Sequence, residues 1–210
     1  ILFSAASDVY KRQVLAPVIA PYNPLEAVMR DANAAPSAAH LFGTDKLGRD
    51  VLSRILYGAS YSLTSVLFLV FLIFVVGTFL GVIAGYFGGI VDTVIMRFAD
   101  MMISFPGVIL AIAIAGILGG SLVNAMIAML CVTWTKYARL SRSMVLKIKK
   151  RDFVDAAIVS GGSSAHILWV HILPNILPLM VITAAADIGA MMMELSLIHI
   201  SEPTRPRLIS

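Results

Sequence analysis

Charge is scarce in this sequence of 210 residues. Asp, Glu, Lys and Arg make up 13% of it, where soluble domains carry about 25%. That shortage excludes the ordinary water-soluble globular enzyme. Cysteine is nearly missing: Cys131 is the only one, so neither a disulfide framework nor a cysteine-built metal site is available. No GxxxxGK[ST] phosphate loop occurs, so the chain cannot supply a P-loop ATPase itself. No His pair has HExxH spacing. His40, His166 and His171 are placed in loops, and neither catalytic nor metal-ligating residues are assigned. Apolar residues, by contrast, make up 59% of the chain, and the mean hydropathy is +0.91. No charged residue lies between Arg54 and Asp92, or between Asp100 and Lys136. A helix needs roughly 20 apolar residues to cross a bilayer. The first stretch holds one span, and the second holds two, divided at Gly119-Gly120-Ser121. The expected fold class is all-α, a polytopic transmembrane helical bundle.

The two ends read differently from the rest. Asp8–Gln13 can be written GAT GTG TAT AAG AGA CAG. The reverse complement of that string translates as Leu-Ser-Leu-Ile-His-Ile, the residues found at 195–200. The pair resembles the transposon end of a DNA-sequencing adapter. Residues 1–13 and 195–210 are therefore expected to be adapter-derived artefacts, to be set aside before fold reasoning, and His199, Glu202, Arg205 and Arg207 carry no functional meaning. Residues 14–194 are then expected to be a piece of a longer protein, truncated at both ends. The net charge of +4 owes half its excess to Lys11, Arg12, Arg205 and Arg207 against Asp8 and Glu202. It does not signal nucleic-acid binding.

Residues 14–21 read as the end of a truncated transmembrane helix, stopped at Pro21-Tyr22-Asn23-Pro24. Residues 22–60 form a polar segment. Residues 61–194 form the transmembrane domain. Its spans are predicted at 62–84, 101–118 and 122–138, and a last one begins near Pro174. A turn covers 85–92, and a basic loop covers about 139–173. Lys and Arg favour the cytoplasmic side. Arg139, Arg142, Lys147, Lys149, Lys150 and Arg151 crowd the basic loop, which places it inside and segment 22–60 outside.

Two motifs stand in these loops. In the basic loop, Asp155-Ala156-Ala157 is followed by Gly161, then by Leu173-Pro174. The small residues let another surface approach the backbone, which suits docking into a partner's groove; an ordinary amphipathic surface helix is the alternative. In the outer segment, residues 40–54 read HLFGTDKLGRDVLSR. Thr44 or Asp45 can cap a following helix, whose apolar face of Val51, Leu52, Ile55, Leu56 and Ala59 can lie in the membrane interface.

The loop at 139–173 resembles the EAA loop of ABC-importer permeases, with matches at Ala156, Ala157, Gly161, Leu173 and Pro174. It departs at Asp155, where that pattern has Glu, and at His171, where it has Ile. The outer segment resembles the GTDxxGRDxxSR signature of the dipeptide/oligopeptide/nickel branch, through Gly43, Thr44, Asp45, Gly48, Arg49, Asp50, Ser53 and Arg54. The resemblance implies the ABC importer permease fold with six spans, in the bacterial inner (plasma) membrane. It implies a second permease subunit, two ATPase subunits that bind ATP and Mg, and an extracytoplasmic substrate-binding protein. No cofactor is expected in this chain. Asp155, Ala156, Ala157, Gly161, Leu173 and Pro174 would carry ATPase coupling. The run at 99–106, Trp134 with Tyr137-Ala138-Arg139, and Asp187-Ile188-Gly189 lean slightly toward the nickel branch over the peptide branches.

Within the spans, Gly77, Gly81 and Gly85 recur on one helical face, where a neighbouring helix can pack closely. The contact is either a moving interface or static packing. Pro106 and Pro178 can kink their helices. Asp187 sits mid-span, where a carboxylate is a functional candidate by default. With Thr183 it could line the substrate path, or it could hydrogen-bond another span. Met191-Met192-Met193 is read as packing. An ion-coupled secondary carrier and a polytopic membrane enzyme are the alternatives from other function classes.

Overall fold

In the computed structural model, residues 20–119 and 121–201 are described. The expected artefact at 1–13, most of 14–21 and residues 202–210 lie outside them. Among the described residues the regular structure is helical, apart from one isolated antiparallel bridge between Thr44 and Asp50. The chain divides into two compact units at Ser65/Val66.

Helix α1 spans Val51–Phe87. The separate interfacial helix expected before the first span does not exist, because α1 passes through residues 55–62 unbroken. Gly58 alone does not stop it, since extending a helix is far easier than nucleating a second one. The turn expected over 85–92 shrinks to Gly88, whose φ of 66° suits glycine.

Helix α2 covers Gly89–Ile103 and α3 covers Gly107–Leu118. The single span expected at 101–118 is therefore broken, with an 89° bend between the two helices. Pro106 causes the break: it offers no N–H and drives Phe105 out of helical geometry. Helix α3 ends at Gly119, φ 93°. Asn124 Nδ2 then donates to the carbonyls of Leu118 and Gly119, at 2.8 and 2.9 Å, which satisfies acceptors that a helix end leaves open.

Helix α4 runs Leu122–Ile148, beyond the expected end at 138. Its basic residues find acids on α2: Arg139 pairs with Asp100, and Arg142 pairs with Asp92 through Nε and Nη2. Two of the six basic residues of the expected loop are thus helical and paired. Helix α5, Asp152–Val159, starts with Asp152 and Asp155 in its first turn, where the helix dipole favours acids. After Gly161 (φ 81°), a short α6 at Ser164–His166 leads into a π-helical turn at Ile167–Ile172. His166 and His171, expected in loops, are instead helical. The last helix, α7, runs Leu173–Ser201 with Pro178 inside it. Pro174 at its start withholds an N–H, and the widened turn before it accommodates the ring. No break marks the boundary expected at 194/195. Leu195 and Ile198 continue the apolar face and are buried.

Among the described residues, two helical runs, Val51–Phe87 and Ser164–Ile198, are long and apolar enough to cross a membrane, or three if the bent α2–α3 pair counts as one. Four had been expected. The shortfall is α4, whose C-terminal half is too charged to qualify alone. The core of the second unit joins Val66, Leu69 and Ile73 of α1 to Ala111 and Ala115 of α3, Ala125, Ala128 and Met129 of α4, and Met180 of α7. Alanines at these crossings let the backbones come close.

Candidate functional site

The outer motif is bound up in itself. Gly43 and Gly48 both have φ 72°, a left-handed geometry that favours glycine. Thr44 Oγ1 accepts from Ala34 N–H at 2.8 Å and donates to the Asp31 carbonyl. Asp45 accepts from the Leu47 and Arg49 N–H groups at 2.8 and 3.0 Å, from Arg49 Nε at 2.8 Å, and from Arg54. It organises the turn and does not cap α1. The cap is Asp50, which accepts the Ser53 N–H at 2.7 Å, the usual reach to the third helical residue. Asp50 also meets His40 Nδ1 at 3.0 Å, and Tyr22 lies 4.8 Å from the His40 ring. Burial acts to raise the Asp45 carboxyl, but the hydrogen bonds from Arg49 and Leu47 outweigh it and hold the group well below the usual carboxylate range. Asp50 is lowered in the same way: burial opposes, and Ser53 and His40 prevail. These eight residues build a folded turn and a helix start.

The motif of the basic loop is turned outward. Val154, Ile167 and Ile172 are buried and, with Val82 and Val145, fix its base. Ala157 and Leu173 pack against that base. Asp155, Ala156 and Gly161 are exposed, beside Phe153, Ile158 and Val159, the last 88% exposed. The Gly161 Cβ position is open space. What restricts that residue is its positive φ, and close approach within the chain plays no part. Pro174 is exposed at the start of α7.

The three spaced glycines of α1 meet α4. A Cβ at Gly77 would lie 2.5 Å from Tyr137 Cβ and 2.6 Å from the Trp134 carbonyl. One at Gly81 would overlap Ser141 and the Ala138 carbonyl, and one at Gly85 would press on Val145.

Asp187 has partners on α4. Lys136 Nζ lies 2.7 Å from both of its carboxylate oxygens, and the Tyr137 hydroxyl donates to Oδ2 at 2.9 Å. The pair lines a cavity of about 480 Å³ with Met102, Phe105, Pro106, Thr133 and Glu194. Thr183 is not brought there. Its hydroxyl donates to the Leu179 carbonyl of its own helix, and the residue is absent from the cavity wall. Sequence reasoning missed Lys136 and Tyr137. A signal existed: Lys136 closes one uncharged run, and Asp187 is isolated in another apolar segment. Two lone opposite charges in apolar helices are each costly until they meet.

Residues 77–200 match the family model described as the binding-protein-dependent transport system inner membrane component. The chain is 38% identical to a dipeptide transport system permease protein of Haemophilus influenzae, over 87% of this chain and 64% of that protein. It is 37% identical to a nickel transport system permease protein of Escherichia coli, over 84% of this chain and 64% of the relative. It is 39% identical to a glutathione transport system permease protein of Pectobacterium atrosepticum, over 75% and 52% respectively. The chain thus spans less than two thirds of the length of these curated relatives. It is a membrane protein and belongs to the family of binding-protein-dependent transport system inner membrane components.

Proposed function

We propose that this chain is part of the permease of an ATP-driven ABC importer and that its loop at 151–175 receives the motion of the ATPase subunits. The observation that carries the reading is the outward face of α5 and the turn after it. Asp155, Ala156 and Gly161 stand exposed beside bare apolar side chains, on a base fixed by buried Val154, Ile167 and Ile172. A rigid platform with a small-residue surface suits a partner that must dock closely and push. Leu173 and Pro174 join the platform to α7, so displacement of the loop is displacement of that helix. The partners are a second permease subunit, two ATPase subunits carrying ATP and Mg, and an extracytoplasmic binding protein. The loop then faces the cytoplasm, in keeping with Lys147, Lys149, Lys150 and Arg151 beside it.

The relatives' names divide the solute among dipeptides, nickel and glutathione, and we keep a slight lean toward the nickel or metal-chelate branch. That lean rests on the sequence runs at 99–106 and 187–189. The test is uptake by the complete transporter, reconstituted with its ATPase and binding protein. ATP-dependent accumulation of labelled solute supports the reading. Accumulation driven by an ion gradient with no ATPase present overturns it in favour of a secondary carrier. Labelled dipeptide against nickel separates the solutes.

A further inference from the structure

Lys136 and Asp187 meet on the wall of an open cavity, not inside a dry helix crossing. The Lys136 side chain is 54% exposed, the Asp187 side chain 13%. The third member, Tyr137, is fully buried and packed against Phe74. The carboxylate is therefore held twice, by a fixed phenol and by an ammonium on a flexible four-carbon stem. If the ammonium swings away, Tyr137 keeps Asp187 aimed into the cavity. The freed Lys136 then presents a cation on the same wall. Met102, Phe105, Pro106, Met129 and Met191 supply apolar surface around the pair.

We propose that Lys136 and Asp187, anchored by Tyr137, form a subsite for a zwitterionic solute, whose ammonium binds Asp187 and whose carboxylate binds Lys136 by exchange with the internal ion pair. The exchange trades one pair for two and leaves neither Lys136 nor Asp187 unpaired among apolar helices, where such a charge is expensive. The proposal rests on the importer reading and narrows its substrate class to solutes with both charged ends, whether peptides or amino-carboxylate metal chelates.

The test uses the complete transporter in proteoliposomes, supplied with saturated binding protein. The probes are labelled dialanine, its N-acetyl and C-amide derivatives, and nickel chloride alone. In the unaltered protein, removing either charged end lowers the maximal uptake rate at least about ten-fold, the effect of one charge-assisted hydrogen bond. In Lys136→Met, dialanine falls to the rate of its amide, and the amide falls no further. In Asp187→Asn, dialanine falls to the rate of the N-acetyl form, and that form falls no further. A variant carrying both Lys136→Asp and Asp187→Lys restores an ion pair and co-purifies normally with its partners, yet transports dialanine poorly. The subsite is overturned if each single variant slows all dialanine probes by one common factor. It is overturned equally if the double variant recovers full uptake, since the pair then only joins α4 to α7, or if nickel chloride alone is transported at a rate indifferent to Lys136→Met. Absence of ATP-dependent uptake of every probe by the unaltered transporter overturns the importer reading instead.

Discussion

The two family motifs are built in opposite ways. In the outer motif, residues 43–54, the charged and hydroxyl side chains turn back on the segment. Asp45 and Asp50 bind backbone within it, and Thr44 binds the backbone of Ala34 and Asp31 shortly before it. In the loop proposed to couple to the ATPase, the apolar residues Val154, Ile167 and Ile172 turn inward, and the motif residues Asp155, Ala156 and Gly161 stand free. One motif serves its own fold, and the other leaves its surface uncommitted. The sharpest way to break this contrast is Ala156→Trp. The side chain has room in the isolated chain, so thermal unfolding of the purified protein stays unchanged. Overpacking a close contact costs about 1–3 kcal/mol, so ATPase docking and uptake fall about ten- to a hundred-fold. Unimpaired co-purification with the ATPase would remove the contrast from the coupling side. Gly161 is a poorer probe, because its φ of 81° strains any replacement.

The outer motif predicts the reverse pattern. Asp50→Ala removes the cap of α1, worth about 0.5–2 kcal/mol, and lowers resistance of residues 22–54 to proteolysis. ATPase stimulation per folded transporter stays normal. A selective loss of uptake with unchanged protease resistance would show that this motif, too, faces a partner.

Acid sharpens the same difference. Asp45 and Asp50 both titrate below their ordinary range in the folded protein. A lowered carboxyl contributes stability that is present in full above the unfolded pKa, about 3.9 for Asp, and is lost as pH falls through the folded value. The outer segment therefore holds its hydrogen-exchange protection at neutral pH and loses it only below about pH 4. Loss of protection already near pH 6 would show that the two carboxylates do not hold the segment.

The helices, the glycine face of α1 and the Gly161 turn were legible because each follows from local chemistry. Gly77, Gly81 and Gly85 share a face by period alone, and their close partner proved to be Tyr137, Ser141 and Val145 of α4. Element boundaries were less legible. The start of α1 depended on which acid caps it, and Asp50 rather than Asp45 does so only because Asp45 is already engaged by Arg49 and Arg54. The length of α4 depended on Asp92 and Asp100, contacts across some 40–50 residues that no window reveals. Thr183 was placed with Asp187 by helical spacing. Spacing does not say which hydroxyl will bond back to its own helix.

The smallest effect concerns those two cross-helix pairs, and it separates charge that shapes the fold from charge that merely sits on it. Both side chains of the Arg139–Asp100 pair are about half exposed, at 45% and 49%. Those of Arg142–Asp92 are more enclosed, at 33% and 18%. Exposed pairs contribute about 0.2–1 kcal/mol and are screened by salt, while enclosed pairs leave a stranded charge when one partner goes. Asp100→Asn should therefore shift thermal unfolding in detergent only slightly, and less at high salt. Asp92→Asn should shift it further and with little salt dependence, because Arg142 loses its bidentate acceptor. Equal shifts with equal salt dependence would mean that α2 is held to α4 by its Ala99–Trp134–Ala138 contact and that neither pair sets the length of α4.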